Sequence, residues 1–492
     1  MNKRKKWVML LCLCIIGIAL LWSRYAKKAA LFAQINSNDM SVREQATILL
    51  LERDIIPGGL PTQQVTVRTN ISEPLARIGG QKAINTLIRL LSDFEDAPSR
   101  SAADALVKIG PAALPSLSQV LLVGDERAKR SATNALGRMG PAAVPFLRRL
   151  MSDPVSRTDA CIALGNVGAA ARSTAEAEKA FTPLIHAVSN PDLDLANDAI
   201  PVLGEKRVTA AVEPLREAIA IAELRYNAIV ALGNIADPRA TMDLIPFLSD
   251  PSIGLRTATA RALGQIADPR AAKPLVATIT ERNADYRSAL VLALQRIGAP
   301  AAVLLVRQLR SKDVFVRRAA TQSMWGVGEP STIPYLRQAL SDPDAEVRAS
   351  AARALGWREN VAAVPVLLEA LQDEDGMVVD ASIEALASIG AKAIPTLFSL
   401  CSGSDPTAAL YASRALVEMG EPAFPALLEA LDSPDPQLQL WAAVTLADMG
   451  DHRAVPKLQE LHKRSQGNLR VILSRALSEL GAVLPGSPKS QT

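Results

Sequence analysis

Residues 332–356 read TIPYLRQALSDPDAEVRASAARALG and carry the pattern that decides the fold. Apolar residues recur at helical spacing in two stretches, Pro334–Leu340 and Val347–Leu355. Between them, Ser341–Asp344 is typical of a turn followed by a helix N-cap, so the stretch predicts a helical hairpin. A hairpin this short cannot bury both of its apolar faces, and it must therefore stack on others of its kind.

The same pattern recurs from about residue 65 to the C-terminus. The second helix of each copy ends on a variant of Ala-Leu-Gly-x-Ile-Gly, and the first two residues of this motif begin at positions 74, 105, 135, 163, 202, 231, 262, 293, 323, 354, 385, 415, 445 and 476. Successive copies are 28–31 residues apart, with one interval of 39. The extra residues fall at 172–179, where the polar sequence predicts a loop or a short helix extension.

A fixed period of this length predicts an all-α protein, a right-handed α-solenoid of about 14–15 stacked helical hairpins over residues 65–481. We expect the glycines after each second helix to end it with positive φ, and a proline to begin the next first helix. Residues 482–492 have no pattern and are predicted to be disordered.

The N-terminal residues 1–24 predict a signal-anchor or transmembrane segment. Four basic residues at 3–6 precede Trp7–Trp22, sixteen residues without a charge. As a helix this run spans roughly 24 Å, and flanking lysines can extend it to the lipid head groups. A cleaved secretory signal and a buried soluble helix are the alternatives. Residues 25–64 would then be a juxtamembrane segment and an imperfect N-terminal cap of the array.

The distribution of charge bears on both orientation and partners. The formal net charge is +4, but residues 1–30 hold seven Lys or Arg and no acid, so the remainder carries 47 basic and 50 acidic residues. A slightly acidic array does not favour nucleic-acid binding. The small excess of positive charge before the apolar run favours a single-pass protein of a bacterial inner membrane with an exported, periplasmic array.

The repeat resembles a known family. The form D-P-x-x-x-V-R-x-x-A-A-x-A-L-G-x-I-x-D-P-R-A-x-x-P-L, seen in variants at Asp250–Leu275 and Asp342–Leu367, is similar to the HEAT-type repeat, in particular its short bacterial variant in phycobilin lyases. The resemblance covers roughly residues 41–481. It implies that the second helices line a concave face and the first helices form the convex back.

The resemblance also implies a structural ladder. A basic residue stands six positions before the Ala-Leu pair in nine of the fourteen copies, among them Arg256, Arg287, Arg317 and Arg348. In similar arrays this arginine bonds to turn carboxylates, here Asp250 and Asp342; contact with a ligand is the alternative. Three consecutive copies carry Val379, Ala409 and Gln439 instead, so the ladder is expected to lapse there and the region to be looser or differently curved.

No catalytic, cofactor or metal site is predicted, and we do not expect an enzyme. The three histidines, His186, His452 and His462, share no metal-ligand spacing with Cys, Asp or Glu. Cys161 and Cys401 have no nearby histidine and are interpreted as small buried side chains.

The second helices instead predict a site for a protein partner. The side chain three positions after the start of each Ala-Leu pair is basic in the first copies and acidic in the last, as at Glu418 and Asp448. Bulky aromatic residues of the second helices also fall in the C-terminal half, namely Trp325, Trp357, Tyr411 and Trp441. These six residues are the predicted partner contacts, with packing as the alternative for the aromatics.

The leading hypothesis is a membrane-tethered scaffold, held by residues 7–22, that binds a protein partner on its concave face. The alternative is an accessory or chaperone-like subunit related to phycobilin lyases that assists attachment of a chromophore or another cofactor. That alternative depends on the repeat subtype alone.

Overall fold

A computed structural model describes residues 26–53, 65–325, 327, 329–357 and 360–482. Every regular element in these ranges is a helix, which confirms the predicted all-α solenoid of stacked hairpins. The chain divides into two compact units, Met1–Asp237 and Pro238–Thr492. The predicted membrane segment at 7–22, part of the predicted cap and almost all of the predicted tail lie outside the described residues.

In the N-terminal unit a helical stretch at 26–34 precedes thirteen α-helices. They are α1 (Met40–Glu52), α2 (Val65–Asn70), α3 (Ser72–Ile78), α4 (Gly80–Leu90), α5 (Asp96–Ile109), α6 (Leu114–Val123), α7 (Glu126–Arg138), α8 (Val144–Leu150), α9 (Arg157–Ala169), α10 (Thr174–Val188), α11 (Leu193–Glu205), α12 (Val212–Ala218) and α13 (Ala222–Ile235). Short 3-10 turns at Gly110–Ala113, Gly140–Ala143 and Thr209–Ala211 lead into α6, α8 and α12.

The C-terminal unit repeats the arrangement with more regular spacing. Its helices are α14 (Thr241–Leu244), α15 (Ile253–Ile266), α16 (Ala272–Ala277), α17 (Ala284–Ile297), α18 (Ala299–Leu305), α19 (Val314–Ser323), α20 (Ile333–Ala339), α21 (Ala345–Leu355), α22 (Val364–Ala370), α23 (Gly376–Ile389), α24 (Ile394–Cys401), α25 (Pro406–Met419), α26 (Phe424–Ala430), α27 (Pro436–Asp448), α28 (Val455–Arg464) and α29 (Gly467–Glu479). Its 3-10 turns are Pro238–Ala240, Ile245–Ser249, Pro269–Ala271, Gln308–Arg310, Pro330–Thr332, Val361–Ala363, Ala391–Ala393 and His452–Ala454.

The 332–356 hairpin shows why the repeat folds as it does. Pro334 occupies the first turn of α20, where its missing N–H breaks no intrahelical bond. Asp344 caps α21, and its carboxylate accepts a hydrogen bond from the Val347 amide at 3.1 Å. The motif leucine, Leu355, is completely buried, as are its equivalents Leu263 and Leu386. The proline and the aspartate cap thus define where the helices of the hairpin begin, and the buried leucines hold successive hairpins together.

The glycines of the repeat have two separate roles, and the expectation that all of them end helices with positive φ was wrong. Gly298, the second glycine of its motif, has a φ of +77° and ends α17 as expected. Gly356, the first glycine of its motif, has a negative φ, and a Cβ there would lie 2.5 Å from the Cα of Ala385 in the next second helix. The first glycine therefore permits close approach of successive second helices.

The extra residues at 172–179 form a helix extension rather than a loop. Ser173 caps α10, its hydroxyl accepting from the Glu176 amide at 3.3 Å. Because α10 begins a full two turns early, Pro183 lies inside the helix and not in its first turn as predicted. The interval of 39 residues is therefore explained by one first helix that is longer than the others.

One stretch of the described residues, Asp96–Val123, is apolar and long enough by composition to cross a membrane. It is not a continuous α-helix, because α5 ends at Gly110, where φ is +77°, and α6 begins after a 3-10 turn. Leu106, Leu114 and Leu117 are buried in the array. The stretch has the structure of two ordinary helices of the repeat.

The ladder arginines join successive hairpins. Arg317 donates two hydrogen bonds to Asp342, at 2.7 and 2.9 Å, and Arg348 donates two to Asp373, at 2.8 and 2.7 Å. In both pairs the carboxylate stands 25 residues after the arginine, in the next repeat. Each arginine also donates to a main-chain carbonyl in its own turn, for example Arg348 to Asp342 at 3.0 Å. Asp342 therefore contacts the arginines of two hairpins.

Of the other two predicted ladder arginines, only Arg256 follows the same pattern. Arg256 does not contact the carboxylate of Asp250; it donates to the main-chain carbonyl of Asp250 at 2.7 Å and to Glu281, in the next repeat, at 2.9 Å. Its contacts therefore match those of Arg348, with Glu281 in the place of Asp373. Arg287 forms no ion pair within the described ranges, since the position equivalent to Asp342 is Lys312 in its case.

Uncharged residues replace the arginines between residues 379 and 439. Val379 and Ala409 are buried. Gln439 retains only the contact within its own turn, donating to the Ser433 carbonyl at 2.8 Å. The hydroxyls of Ser413 and Thr445 lie 2.7 Å apart and join successive second helices. Different chemistry therefore holds this part of the stack together.

Candidate protein-binding surface

The second helices of the C-terminal unit share one exposed face. In α23 the exposed side chains Met377, Asp380, Glu384 and Ser388 recur every three or four residues, and the remaining positions are mostly buried. The equivalent side chains are exposed or half-buried in α17, α19, α25, α27 and α29, whereas those of α21 are half-buried or buried. We refer to the exposed and half-buried side chains at these positions of the seven helices, together with Trp325 in the turn after α19, as the open face.

A pocket of about 530 Å³ lies on the open face at α17, α19 and α21. It lies beside the end of α19, which has ten residues and ends at Ser323, two residues before Trp325. The apolar part of its lining is contributed by Val291, Leu292 and Trp325. Leu292 and Trp325 are 55% and 58% exposed, which is unusual for side chains of this size.

Hydrogen bonds fix the polar part of the pocket. The side-chain amide of Gln295 donates to the Gln322 carbonyl at 2.7 Å, and that of Gln322 donates to Glu346 at 2.9 Å. Glu346 is also paired with Arg318. These bonds connect α17, α19 and α21, so the helices that line the pocket are held in place before a partner binds.

Two arginines line the pocket and differ in their partners. Arg353 is paired with Glu384 at 2.9 Å. Arg287 has no carboxylate partner among the described residues, and its guanidinium lies 5.8 Å from the centre of the Phe315 ring. The pocket therefore combines exposed apolar surface with one arginine that no carboxylate neutralises.

The structure does not bring the six predicted contact residues together. Trp325 lines the pocket described above, but Tyr411 lines a separate pocket of about 470 Å³ together with Leu368 and Leu400 of two first helices. Trp357 and Trp441 are both half-buried. The six residues thus do not form one site.

Two of the aromatics also lie outside the second helices in which they were predicted. Trp325 follows the end of α19, and Trp357 follows the end of α21 at Leu355. Relative to the repeat motif, α19 and α21 end four and three residues earlier than α17 and α23, and both tryptophans follow these early helix ends. Trp441, by contrast, lies within α27, and Tyr411 lies within α25.

The two predicted acidic contacts are exposed on the open face and crowded by other carboxylates. Partial burial raises the pKa of Glu418, and the nearby charges of Glu384 and Asp380 raise it further. Partial burial likewise raises the pKa of Asp448, and Glu479 adds to the effect. A cationic group placed against either carboxylate would relieve this repulsion.

Sequence reasoning missed Leu292 and assigned Arg287 to the ladder. The signal for Arg287 was present, because the equivalent position one repeat later is an acid for Arg317 and Arg348 but Lys312 for Arg287. The signal for Leu292 was weaker. Only the structure shows that this leucine faces outward beside a shortened helix.

The described part of the chain offers little for catalysis or metal binding. It contains no group of three or more His, Cys, Asp or Glu side chains arranged to hold a metal ion. Burial raises the pKa of both Cys161 and Cys401 to about 12, so neither thiol forms a thiolate near neutral pH. Both cysteines are buried, as their sequence context predicts.

Comparison with known proteins supports the repeat assignment. The family model described as HEAT repeats matches residues 212–295, 302–387 and 394–478, which together make up just over half of the chain. No curated protein sequence matches the chain.

Several solved structures are similar in fold. They include Kap121p (14% identity over 92% of this chain and 56% of that chain, TM-score 0.44), the karyopherin Kap121p bound to the SUMO protease Ulp1p (13% identity, 92% and 64%, TM-score 0.47) and the Kap95:Nup1 complex (12% identity, 92% and 77%, TM-score 0.44). The chain spans little more than half the length of Kap121p. The family match, the hairpin geometry and the arginine ladder lead to one assignment: this chain belongs to the HEAT-repeat family.

Proposed function

We propose that the protein is a scaffold that binds a protein partner on the open face of its C-terminal unit. The observation that carries this proposal is the pocket at α17, α19 and α21, where Leu292 and Trp325 expose more than half of their surface. Exposed tryptophan beside aliphatic surface is the composition of a binding hot spot. The ordered hydrogen bonds beneath these side chains lower the entropic cost of binding.

The acidic end of the open face would contact basic side chains of the same partner. Glu418 and Asp448 are exposed, and their raised pKa values reflect repulsion from neighbouring acids as well as partial burial. Lysine or arginine of a partner would stabilise both carboxylates and set the direction in which the partner lies. The half-buried Trp357, Tyr411 and Trp441 are proposed as secondary contacts.

Substitution of Trp325 tests the apolar part of the surface. Tyr335 provides a matched control because it is an aromatic of the first helix α20 and is 36% exposed. Proteins that co-purify with the full chain in mild detergent are quantified by mass spectrometry for wild type, Trp325→Ala and Tyr335→Ala. We expect a partner that wild type and Tyr335→Ala retain and Trp325→Ala loses. An identical set from all three proteins would refute the proposal.

Charge reversal tests the acidic part. Glu418→Lys combined with Asp448→Lys should weaken capture of that partner, most strongly at low salt, because the attraction is electrostatic and screened. The control reverses Glu217 and Glu429, two exposed acids of the first helices α12 and α26. Equal capture by both double variants would show that the acidic residues of the open face do not contribute.

We further infer that residues 7–22 tether the array to a membrane. The support is the sequence alone, an uncharged run with tryptophan at both ends and lysines beyond it. The full chain should remain in the membrane pellet after alkaline carbonate extraction, whereas a chain without residues 1–24 should be soluble. Protease treatment of spheroplasts should digest the array if it is exported. Release of the full chain by carbonate would disprove the tether.

The alternative of a phycobilin-lyase-related subunit receives no support from the described residues. Its two described cysteines are buried, and burial raises the pKa of each thiol to about 12. We therefore propose only the scaffold function.

A further inference from the structure

The ladder of the C-terminal unit is a repeated carboxylate-binding site. Arg317 and Arg348 each bind a carboxylate with two parallel hydrogen bonds of 2.7–2.9 Å. Arg256 binds Glu281 at the same separation of 25 residues. The planar guanidinium matches the two oxygens of a carboxylate, so this arginine position is built to receive one.

Arg287 occupies the same position of the repeat without an internal carboxylate. Its counterpart in the next repeat is Lys312, which is exposed and carries the same charge as the arginine. The guanidinium of Arg287 forms neither a hydrogen bond nor an ion pair with another residue of the described ranges; the Phe315 ring lies 5.8 Å from it. At this position the repeat therefore provides the arginine but not the carboxylate that would pair with it.

Arg287 also differs from the other ladder arginines in what lies beside it. It lines the 530 Å³ pocket of the open face together with Leu292 and Trp325. Arg317 and Arg348, in contrast, are largely buried against their own carboxylates. A group that reaches Arg287 from outside the chain would therefore have exposed apolar surface next to it.

We propose that this pocket binds a segment of a protein partner that presents an Asp, a Glu or a C-terminal carboxylate to Arg287, with a neighbouring apolar side chain on Leu292 and Trp325. The inference deepens the proposed scaffold function and depends on it. Two features favour this partner chemistry. The same arginine position binds carboxylates elsewhere in the chain, and the adjacent surface is apolar and aromatic.

Lys312 provides the sharpest test because one substitution would complete the ladder. Lys312→Asp places an internal carboxylate at the same spacing from Arg287 as Asp342 has from Arg317. We expect this variant to unfold about 2 to 4 °C higher than Lys312→Asn, which removes the positive charge without adding a negative one. We also expect Lys312→Asp to lose carboxylate binding at the pocket, while Lys312→Asn retains it.

Binding is measured with an array of synthetic twelve-residue peptides. Each peptide carries Asp or Glu at one to four positions from a Leu, Phe or Trp, and matched peptides carry Asn or Gln instead. Peptides that bind the wild-type chain should lose affinity by about tenfold or more when the carboxylate becomes an amide. Arg287→Gln and Lys312→Asp should both abolish this preference for the acid, and Lys312→Asn should not.

The outcomes separate this inference from the scaffold proposal. If acidic and amide peptides bind equally well, or if Arg287→Gln keeps the preference for the acid, the carboxylate site is refuted while Trp325-dependent partner capture can still stand. If no acidic peptide binds the wild-type chain, the inference is refuted as well. If Trp325→Ala leaves partner capture unchanged, the scaffold proposal itself fails.

Discussion

Two neighbouring parts of the C-terminal unit differ in the side chains that connect successive hairpins. Between α19 and the start of α23, Arg317 and Arg348 join successive hairpins through nearly buried ion pairs with Asp342 and Asp373. From α23 to α27, buried Val379 and Ala409 occupy the arginine positions. The helices pack in both parts. The ladder is therefore one of two ways to fill this position of the repeat.

The comparison shows that the ion pairs of the ladder are not required for the hairpins to stack. A buried ion pair stabilises only when both members are present, and its replacement by apolar groups of similar size is often neutral. The expectation that residues 379–439 are looser therefore does not follow from the loss of arginine alone. The ladder makes the free energy of unfolding more sensitive to substitution, because the loss of one partner leaves a buried charge unpaired.

The largest effect is expected from removing one member of a ladder pair. Arg317→Leu leaves the Asp342 carboxylate, whose side chain is 9% exposed, without its partner. We expect a loss of about 3 kcal/mol in the free energy of unfolding, measured by urea denaturation. The double variant Arg317→Leu with Asp342→Leu should recover most of this loss, since it imitates the apolar solution. A double variant as unstable as the single one would contradict this account.

The ladder acids should also make stability depend on pH. The hydrogen bonds from Arg348 lower the pKa of Asp373. A lowered folded-state pKa gives stability that is present above the unfolded pKa of about 3.9 and is lost as pH falls through the folded value. Asp373→Asn should therefore lower the urea midpoint at pH 7, and the difference from wild type should shrink below about pH 4. A difference that persists undiminished at the lowest pH where the protein still folds would argue against this origin.

A smaller effect is expected where glutamine replaces the arginine. Gln439 donates a single neutral hydrogen bond to the Ser433 carbonyl. Gln439→Ala should cost about 1 kcal/mol, a third of the loss expected at Arg317, because no buried charge is left behind. The measurement is the same urea titration. An equal loss at the two positions would mean that the charge of the ladder is not what makes it sensitive.

The smallest effect should have the opposite sign. Partial burial and neighbouring acids raise the pKa of Glu418, so its charged form is disfavoured in the folded protein. A raised folded pKa means that protonation stabilises the fold as pH falls through that value. Glu418→Gln should therefore raise the urea midpoint slightly at pH 7, and the gain should fade as the wild-type carboxyl becomes protonated. A loss of stability at pH 7 would show that Glu418 is held by an attractive contact.

Local chemistry in the sequence predicted the features that depend on few neighbours. The hairpin, the cap at Asp344 and the proline at 334 follow from short-range rules, and the structure has all three. The role of Gly356 could not be predicted in this way, because it depends on its distance to Ala385 in the next helix. The sequence prediction did not assign a partner to each arginine, although a comparison of each arginine with the acids of the following turn reveals the pairing.

The candidate site was predicted less completely than the fold. The pattern singled out Trp325, and the structure places this residue in the exposed pocket. The sequence pattern also placed Trp357, Tyr411 and Trp441 in the same group, yet in the structure Tyr411 lines a different pocket. Periodicity tells which helix a residue belongs to, but the direction of its side chain depends on where that helix ends and on the size of its neighbours.

The central claim is that a protein partner lies on the open face at Trp325. The most direct measurement is photocrosslinking in intact cells, with p-benzoylphenylalanine placed at position 325 or, as a control, at position 335 on the first helix α20. We predict a covalent adduct with a distinct protein from position 325 and none from position 335. Adducts from position 335 alone, or from neither position, would contradict the claim.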